Sequence, residues 1–71
     1  MSNDQALLEQ LLHGTPILTQ EQAAMFLQVS IPTLRLWRRQ KYGPAWMAVG
    51  RSIRYHRDVL SSWLEQQTVN H

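Results

Sequence analysis

Residues 19–37 decide the fold, and they read TQEQAAMFLQVSIPTLRLW. Thr19 and Gln22 have the spacing of a capping box, in which each side chain accepts a hydrogen bond from the backbone N–H group of the other residue. Glu21 lies in the first turn, where a negative charge interacts favourably with the helix dipole. The pattern therefore predicts a helix that begins after Thr19 and runs to about Leu27.

A second helix is predicted after a short turn. Ser30 can cap this helix, and Pro32 is tolerated in its first turn because the N–H groups there have no partner within the helix. Small Ala24 falls where the two helices would cross, and Gln28 stands where such a turn usually has a glycine with positive φ. The other positions that a helix-turn-helix buries are hydrophobic in this chain, namely Leu27, Val29, Leu34 and Trp37. The spacing therefore predicts a helix-turn-helix.

The pattern changes from helical to strand-like at about residues 45–55. Gly50-Arg51-Ser52 predicts the three-residue tip of a hairpin, and Ile53 and Tyr55 then share one face of the second strand, with Arg54 on the other. A last helix begins near Asp58, and its apolar stripe consists of Val59, Leu60, Trp63 and Leu64. The fold class is therefore mainly α with a small β-hairpin wing, a winged helix-turn-helix.

A leucine-rich segment precedes this pattern. Asn3 or Asp4 can cap a helix that runs to about His13, and its apolar stripe consists of Leu7, Leu8, Leu11 and Leu12. The stripe either packs on its own domain or forms a dimer or partner surface, and the sequence leaves both open. We expect three parts: an extra N-terminal helix in 1–16, the winged helix-turn-helix in 17–66 and a frayed tail in 67–71.

The charged residues are segregated along the chain. The formal net charge is only +2, yet every Lys and Arg lies between residues 35 and 57, and no acid lies among them. Most of these bases are arginines, which bind phosphate and guanine through two parallel hydrogen bonds. A merely solvated basic surface would be interspersed with acids. The segregation therefore predicts a face that binds a polyanion.

The composition argues against several other function classes. The chain of 71 residues has no cysteine, and its three histidines lack the spacing of metal ligands, so we expect no disulfide, metal or cofactor. No catalytic constellation is evident, and we expect no enzyme. No signal segment or membrane span is evident, so we expect a cytoplasmic protein of the bacterial nucleoid that makes no membrane contact. The three tryptophans are predicted to pack in the core rather than stack on single-stranded nucleic acid.

Two sets of motifs resemble known families. The DNA-binding domain of the MerR-like superfamily is similar in the stretches LTQEQAA (18–24), VS (29–30) and TLRLW (33–37). The phage excisionase and AlpA-type regulators are similar in GPAW (43–46), VGR (49–51), IRY (53–55), DV (58–59) and WL (63–64). The resemblance covers about residues 18–65. It implies a small prokaryotic or phage DNA-binding protein that regulates transcription or directs site-specific recombination.

Placement on these elements assigns the expected DNA contacts. The recognition helix, about residues 31–40, would enter the major groove with its first residues nearest the base edges, which we expect of Ser30, Pro32, Thr33, Arg35 and Leu36. Arg35 is our candidate for a bidentate guanine contact, with a phosphate contact as the alternative. We expect a second set of side chains to contact the DNA backbone or an adjacent groove, namely Arg38, Arg39, Lys41, Arg51, Ser52 and Arg54. Arg57 either joins this group or pairs with Asp58 or Glu65.

Three functions fit these features. We favour a transcription regulator that binds double-stranded DNA and whose N-terminal helix dimerises or touches RNA polymerase. The alternative is an excisionase-like recombination directionality factor, which binds tandem sites, bends DNA and recruits an integrase. A third function is a protein-interaction module whose basic face contacts an acidic partner, and such a module would bind duplex DNA little.

Overall fold

The computed structural model describes residues 16–68, which form three helices and a three-stranded antiparallel sheet. In chain order the elements are β1 (Ile17–Thr19), α1 (Gln20–Leu27), α2 (Ile31–Arg39), β2 (Met47–Val49), β3 (Ser52–His56) and α3 (Arg57–Gln66). The strand order is β1–β3–β2. This arrangement is consistent with a winged helix-turn-helix in which the β2–β3 hairpin is the wing. The predicted N-terminal helix and the last three residues of the predicted tail lie outside the described residues.

Both predicted helix caps are confirmed. At the start of α1, the N–H of Gln22 donates to Thr19 Oγ1 at 3.1 Å, and the N–H of Thr19 donates to Gln22 Oε1 at 2.8 Å. At the start of α2, the N–H of Thr33 donates to Ser30 Oγ at 3.2 Å, and Pro32 lies in the first turn. These side chains satisfy N–H groups that have no partner within the helix, so each helix begins at its cap.

The turn between α1 and α2 has a left-handed residue at Gln28, as predicted, with φ of 58°. The N–H of Gln28 donates to the carbonyl of Met25 at 3.2 Å, and that of Val29 donates to the carbonyl of Ala24 at 3.0 Å. This pair of bonds is the Schellman motif, which satisfies the last carbonyls of α1. The chain therefore turns tightly enough to set α2 across α1, although a side chain in this conformation is strained.

Replacing Gln28 with glycine is expected to raise the free energy of unfolding by about 0.5–1 kcal/mol, because glycine adopts positive φ without strain. Urea denaturation followed by tryptophan fluorescence measures the change. The matched control is Gln40→Gly at the end of α2, where φ is −85° and glycine brings no relief. Equal effects of the two substitutions would show that the strain at Gln28 is absent.

The core is built from three buried residues of α1 and one each of β1, α2, β3 and α3, with none from β2. Its buried members are Leu18, Ala23, Ala24, Leu27, Leu34, Tyr55 and Leu60. Ala24 is small enough to let α1 and α2 approach closely, which confirms the crossing predicted from the sequence. Leu27 and Leu34 are buried as predicted, while Val29 and Trp37 pack against the core from its edge. The helix-turn-helix and the sheet therefore share a single core.

The sheet differs from the prediction in two ways. The hairpin tip has two residues rather than three, because Ser52 pairs with Val49 and belongs to β3. In addition, the sequence pattern did not predict β1, a strand of three residues that pairs with the end of β3, Leu18 opposite Tyr55. Three residues are too few to show the alternation by which strands are recognised. β1 is nevertheless structural, because it buries Leu18 completely.

Two of the three tryptophans pack together as predicted. The ring of Trp37 lies 5.3 Å from that of Trp63, and Tyr42 completes the cluster at 5.4 Å from Trp37 and 6.0 Å from Trp63. This cluster joins the end of α2 to α3. The prediction for Trp46 is wrong, since 45% of this residue is exposed. Trp46 precedes β2, an edge strand whose three residues are all exposed, so the core does not reach it.

Candidate nucleic-acid interface

The outer face of α2 presents a row of exposed side chains. Pro32, Arg35, Leu36 and Arg39 are all exposed and follow the spacing i, i+3, i+4 and i+7, which places them on one side of the helix. The opposite side carries buried Leu34. The row therefore continues along the whole helix, and its first turn contains no carboxylate.

Ser30 and Thr33 lie at the start of this row. Their hydroxyl groups are 2.9 Å apart and share a hydrogen bond, while Ser30 Oγ also caps α2. Both side chains are thus held in place before any ligand binds. The sequence predicted the cap, and the structure adds the hydrogen bond between the two hydroxyl groups.

An open cleft separates α2 from the β2–β3 hairpin. Arg35 and Arg38 line it from α2, and Arg51 and Arg54 line it from the hairpin. The structure therefore brings together arginines that lie 13 or more residues apart in the sequence. Repulsion between like charges in one cleft is relieved when an anion binds there.

Arg38 has a role that the sequence did not indicate. Its Nη1 donates to the hydroxyl of Tyr55 at 2.9 Å, and its Nη2 donates to Gln20 Oε1 at 2.6 Å. The guanidinium carbon also lies 5.9 Å from the centre of the Trp46 ring. All three partners are uncharged, so the arginine keeps its full positive charge. Arg38 therefore connects α1, α2 and β3 and fixes the hairpin relative to α2.

The other bases differ in how far they are engaged. Arg54 donates to the carbonyl of Ile53 at 2.9 Å, and Arg57 forms a 3.8 Å ion pair with Asp58, one of the two partners considered from the sequence. Four exposed bases have no hydrogen-bond or ion-pair partner within residues 16–68, and these are Arg35, Arg39, Lys41 and Arg51. They are the bases most available to an anionic ligand.

One acidic residue lines the basic cleft. Glu21 is exposed in the first turn of α1 and faces the same cleft as the arginines. The sequence analysis treated it only as a favourable charge at the helix N-terminus and did not place it at the interface. No local signal in the sequence placed it there, because only the assembled fold brings the start of α1 to the same cleft as the hairpin. A carboxylate there opposes the approach of a phosphate.

Replacing Glu21 with glutamine is therefore expected to tighten binding to any duplex DNA by about 2- to 5-fold, the equivalent of a charge effect of about 0.4–1 kcal/mol. Fluorescence anisotropy with a labelled duplex measures the change. Glu65→Gln is the matched control, because it removes the same charge from α3, outside the cleft. Equal gains for both variants would mean that net charge, and not the position of Glu21, limits binding.

Other kinds of site find little support in this part of the chain. No three His, Asp or Glu side chains group as metal ligands within residues 16–68. The helices of the same range are also too short and too polar to cross a membrane. A second groove, lined by the loop before β2 and by α3, lies outside the basic cleft.

Comparison with other proteins agrees with this geometry. No curated protein gives a significant match to the chain. A family model described as a helix-turn-helix domain matches residues 17–68, a range that contains every helix and strand of the described fold. A helix-turn-helix domain indicates DNA binding, with the second helix as the element that reads the groove. The chain therefore belongs to the helix-turn-helix domain family.

Proposed function

We propose that this protein binds double-stranded DNA sequence-specifically and regulates transcription. The observation that carries the proposal is the exposed row on α2, whose Arg35 also lines a cleft with Arg51 and Arg54 of the hairpin on its other wall. A helix that enters the major groove needs one exposed face with donors near its first turns. A second basic element beside it then grips the backbone or an adjacent groove.

In this proposal α2 reads the bases. It has nine residues, and a helix with its side chains is about 10–12 Å across, a diameter that fits a major groove about 12 Å wide. Arg35 donates two hydrogen bonds to a guanine, and Leu36 contacts a thymine methyl group. The remaining residues near the base edges are Ser30, Pro32 and Thr33.

The hairpin and the end of α2 hold the DNA backbone. Arg51 lies at the two-residue tip, and Ser52 and Arg54 follow on β3. Arg39 and Lys41 contact phosphates beyond the end of α2, and Arg57 adds a further charge. Arg38 contributes mainly by orienting the hairpin, because two of its nitrogens already bind Tyr55 and Gln20.

The resemblance to excisionase and AlpA-type regulators within the MerR-like superfamily supports a prokaryotic or phage regulator that acts at the bacterial nucleoid. A single module of this size buries only about 600–1,000 Å² on DNA, so its affinity is modest. Tight control then requires a second copy on the DNA or contact with RNA polymerase. The alternative function, a recombination directionality factor that recruits an integrase, uses the same α2 and hairpin surfaces.

Selection of bound sequences from a random duplex library, followed by salt-titrated gel shifts, tests the proposal. We expect a recurrent motif, preferential binding of that motif over a scrambled duplex, and a slope of log K against log salt of about −4 to −5 if five bases meet phosphates. No duplex binding at low salt would contradict the proposal and favour an acidic protein partner.

The same DNA distinguishes the two functions. Circularly permuted duplexes carrying the selected motif report bending, because a bent site slows migration most when it lies centrally. An unbent, singly occupied site supports a regulator. Strong bending with several discrete shifted bands supports the recombination factor.

A further inference from the structure

A groove outside the basic cleft leaves large apolar side chains uncovered. Trp46 and Met47 line it from the start of the hairpin, and Val59 lines it from α3, with His56 between them. Trp46, Met47 and Val59 are all more than a third exposed. A small domain seldom leaves such side chains clustered in one concave surface unless something covers it.

The chain before β1 enters the fold beside this groove. The carbonyl of Pro16 accepts a 2.7 Å hydrogen bond from the N–H of Arg57, the first residue of α3. Ile17 pairs with His56, which itself lines the groove. Neighbouring strands lie about 4.8 Å apart. The point at which the preceding chain joins the fold therefore lies within about one strand spacing of the groove.

We propose that the leucine-rich segment of residues 5–13 binds in this groove. Its four leucines form one helical stripe in the sequence pattern, and they supply the apolar surface that Trp46, Met47 and Val59 lack. Nine helical residues span about 13.5 Å, and Gly14 gives the chain a place to turn back. The segment thus docks on its own domain, one of the two possibilities that the sequence left open.

Tethering and charge favour this occupant over a second copy. Only residues 14–16 separate the segment from β1, so its local concentration at the groove is in the millimolar range or above. The segment carries Glu9, follows Asp4 and has no Lys or Arg, whereas the groove adjoins the positive end of the α3 dipole, where Arg57 and Asp58 form an ion pair. A free copy would have to outcompete a partner that is already attached.

Docking in this groove leaves the DNA-binding surface open. The residues that line the groove and those that line the basic cleft do not overlap. Removal of the leucines is therefore expected to leave duplex binding intact, and the two proposals can fail independently.

Paramagnetic relaxation enhancement, measured by NMR on the full chain with a nitroxide label, tests whether the segment docks in the groove. The chain has no cysteine, so Ala6→Cys carries a single nitroxide label on the helix face opposite the leucine stripe. We expect a strong loss of amide peak intensity at Met47 and Val59 and little loss at Arg51 on the hairpin tip. The loss should persist on dilution.

Three controls decide the outcome. In the first control, the labelled chain has serine in place of Leu7, Leu8, Leu11 and Leu12, and it shows how much broadening the tether alone produces. In the second control, Val59→Ser changes the groove instead of the segment and tests the same contact from the other side. If the amide peaks lining the groove broaden as much in the serine variant as in the chain that keeps its leucines, the proposal is overturned. A mixture of labelled ¹⁴N chain and unlabelled ¹⁵N chain detects a second copy, and broadening confined to that mixture also overturns it. The dispersion of the amide chemical shifts of each variant verifies that the domain is folded.

Discussion

Gly43→Ala is expected to lower the free energy of unfolding by about 2–4 kcal/mol, the combined cost of left-handed strain and overpacking. Gly43 has φ of +88°, and a Cβ atom there would lie 2.9 Å from Cε3 of Trp37. Trp37 has little room to withdraw, because its ring packs against both Tyr42 and Trp63. A domain this small is stabilised by only about 3–5 kcal/mol, so much of the variant should be unfolded at 25 °C.

Urea denaturation measures the loss, and introducing the change into the Gln28→Gly background keeps the transition observable. Gly50→Ala is the control that separates strain from crowding. Gly50 also has positive φ, at +62°, but a Cβ atom there meets nothing within 4 Å. Gly50→Ala should therefore lower the free energy of unfolding by about 1 kcal/mol, which is the cost of backbone strain alone. Similar losses at the two glycines would show that Trp37 yields and that the aromatic cluster is not rigid.

The helix boundaries were predictable because their signals are local. Thr19, Gln22 and Ser30 cap helices through backbone groups within three residues, and these bonds form wherever the segment is helical. The left-handed Gln28 was likewise predictable, because a helix-turn-helix requires that conformation at one fixed position. Such features depend little on the rest of the molecule.

The errors concern features that only the assembled fold determines. β1 exists because Leu18 meets Tyr55, a partner far along the chain, and its three residues carry no periodic pattern of their own. The exposure of Trp46 depends on the edge position of β2, which no local pattern reveals. The hairpin tip was one residue too long because the pairing of Val49 with Ser52 depends on the register of the sheet.

The candidate interface shows the same division. The segregation of charge along the sequence predicted a basic face, and the exposure of Arg35, Arg39 and Arg51 agrees with that prediction. The contacts of Arg38 with Gln20 and Tyr55 span 18 and 17 residues, so the sequence could not distinguish this arginine from its neighbours. A basic side chain on a recognition helix can therefore serve to position another element, and only its partners reveal which role it has.

Arg35→Ala is expected to reduce binding of the selected duplex by about 5- to 150-fold, the equivalent of losing a bidentate guanine contact worth about 1–3 kcal/mol. Binding of a scrambled duplex should fall only a few-fold, so the preference for the selected sequence narrows. The physical reason is that Arg35 lies in the exposed row of α2 and has no partner within residues 16–68 to hold it away from the bases. Competition gel shifts with both duplexes at one salt concentration measure the ratio.

Arg39→Ala is the matched control, because Arg39 lies one turn further along the same face and is equally exposed. As a phosphate contact, it should weaken both duplexes by the same factor and reduce the salt slope by about 1. The two arginines carry the same charge on one helix, so a difference between them must come from what each touches. If Arg35→Ala instead weakens both duplexes equally, Arg35 binds phosphate, and the sequence must be read by the hydroxyl groups of Ser30 and Thr33 or by Leu36.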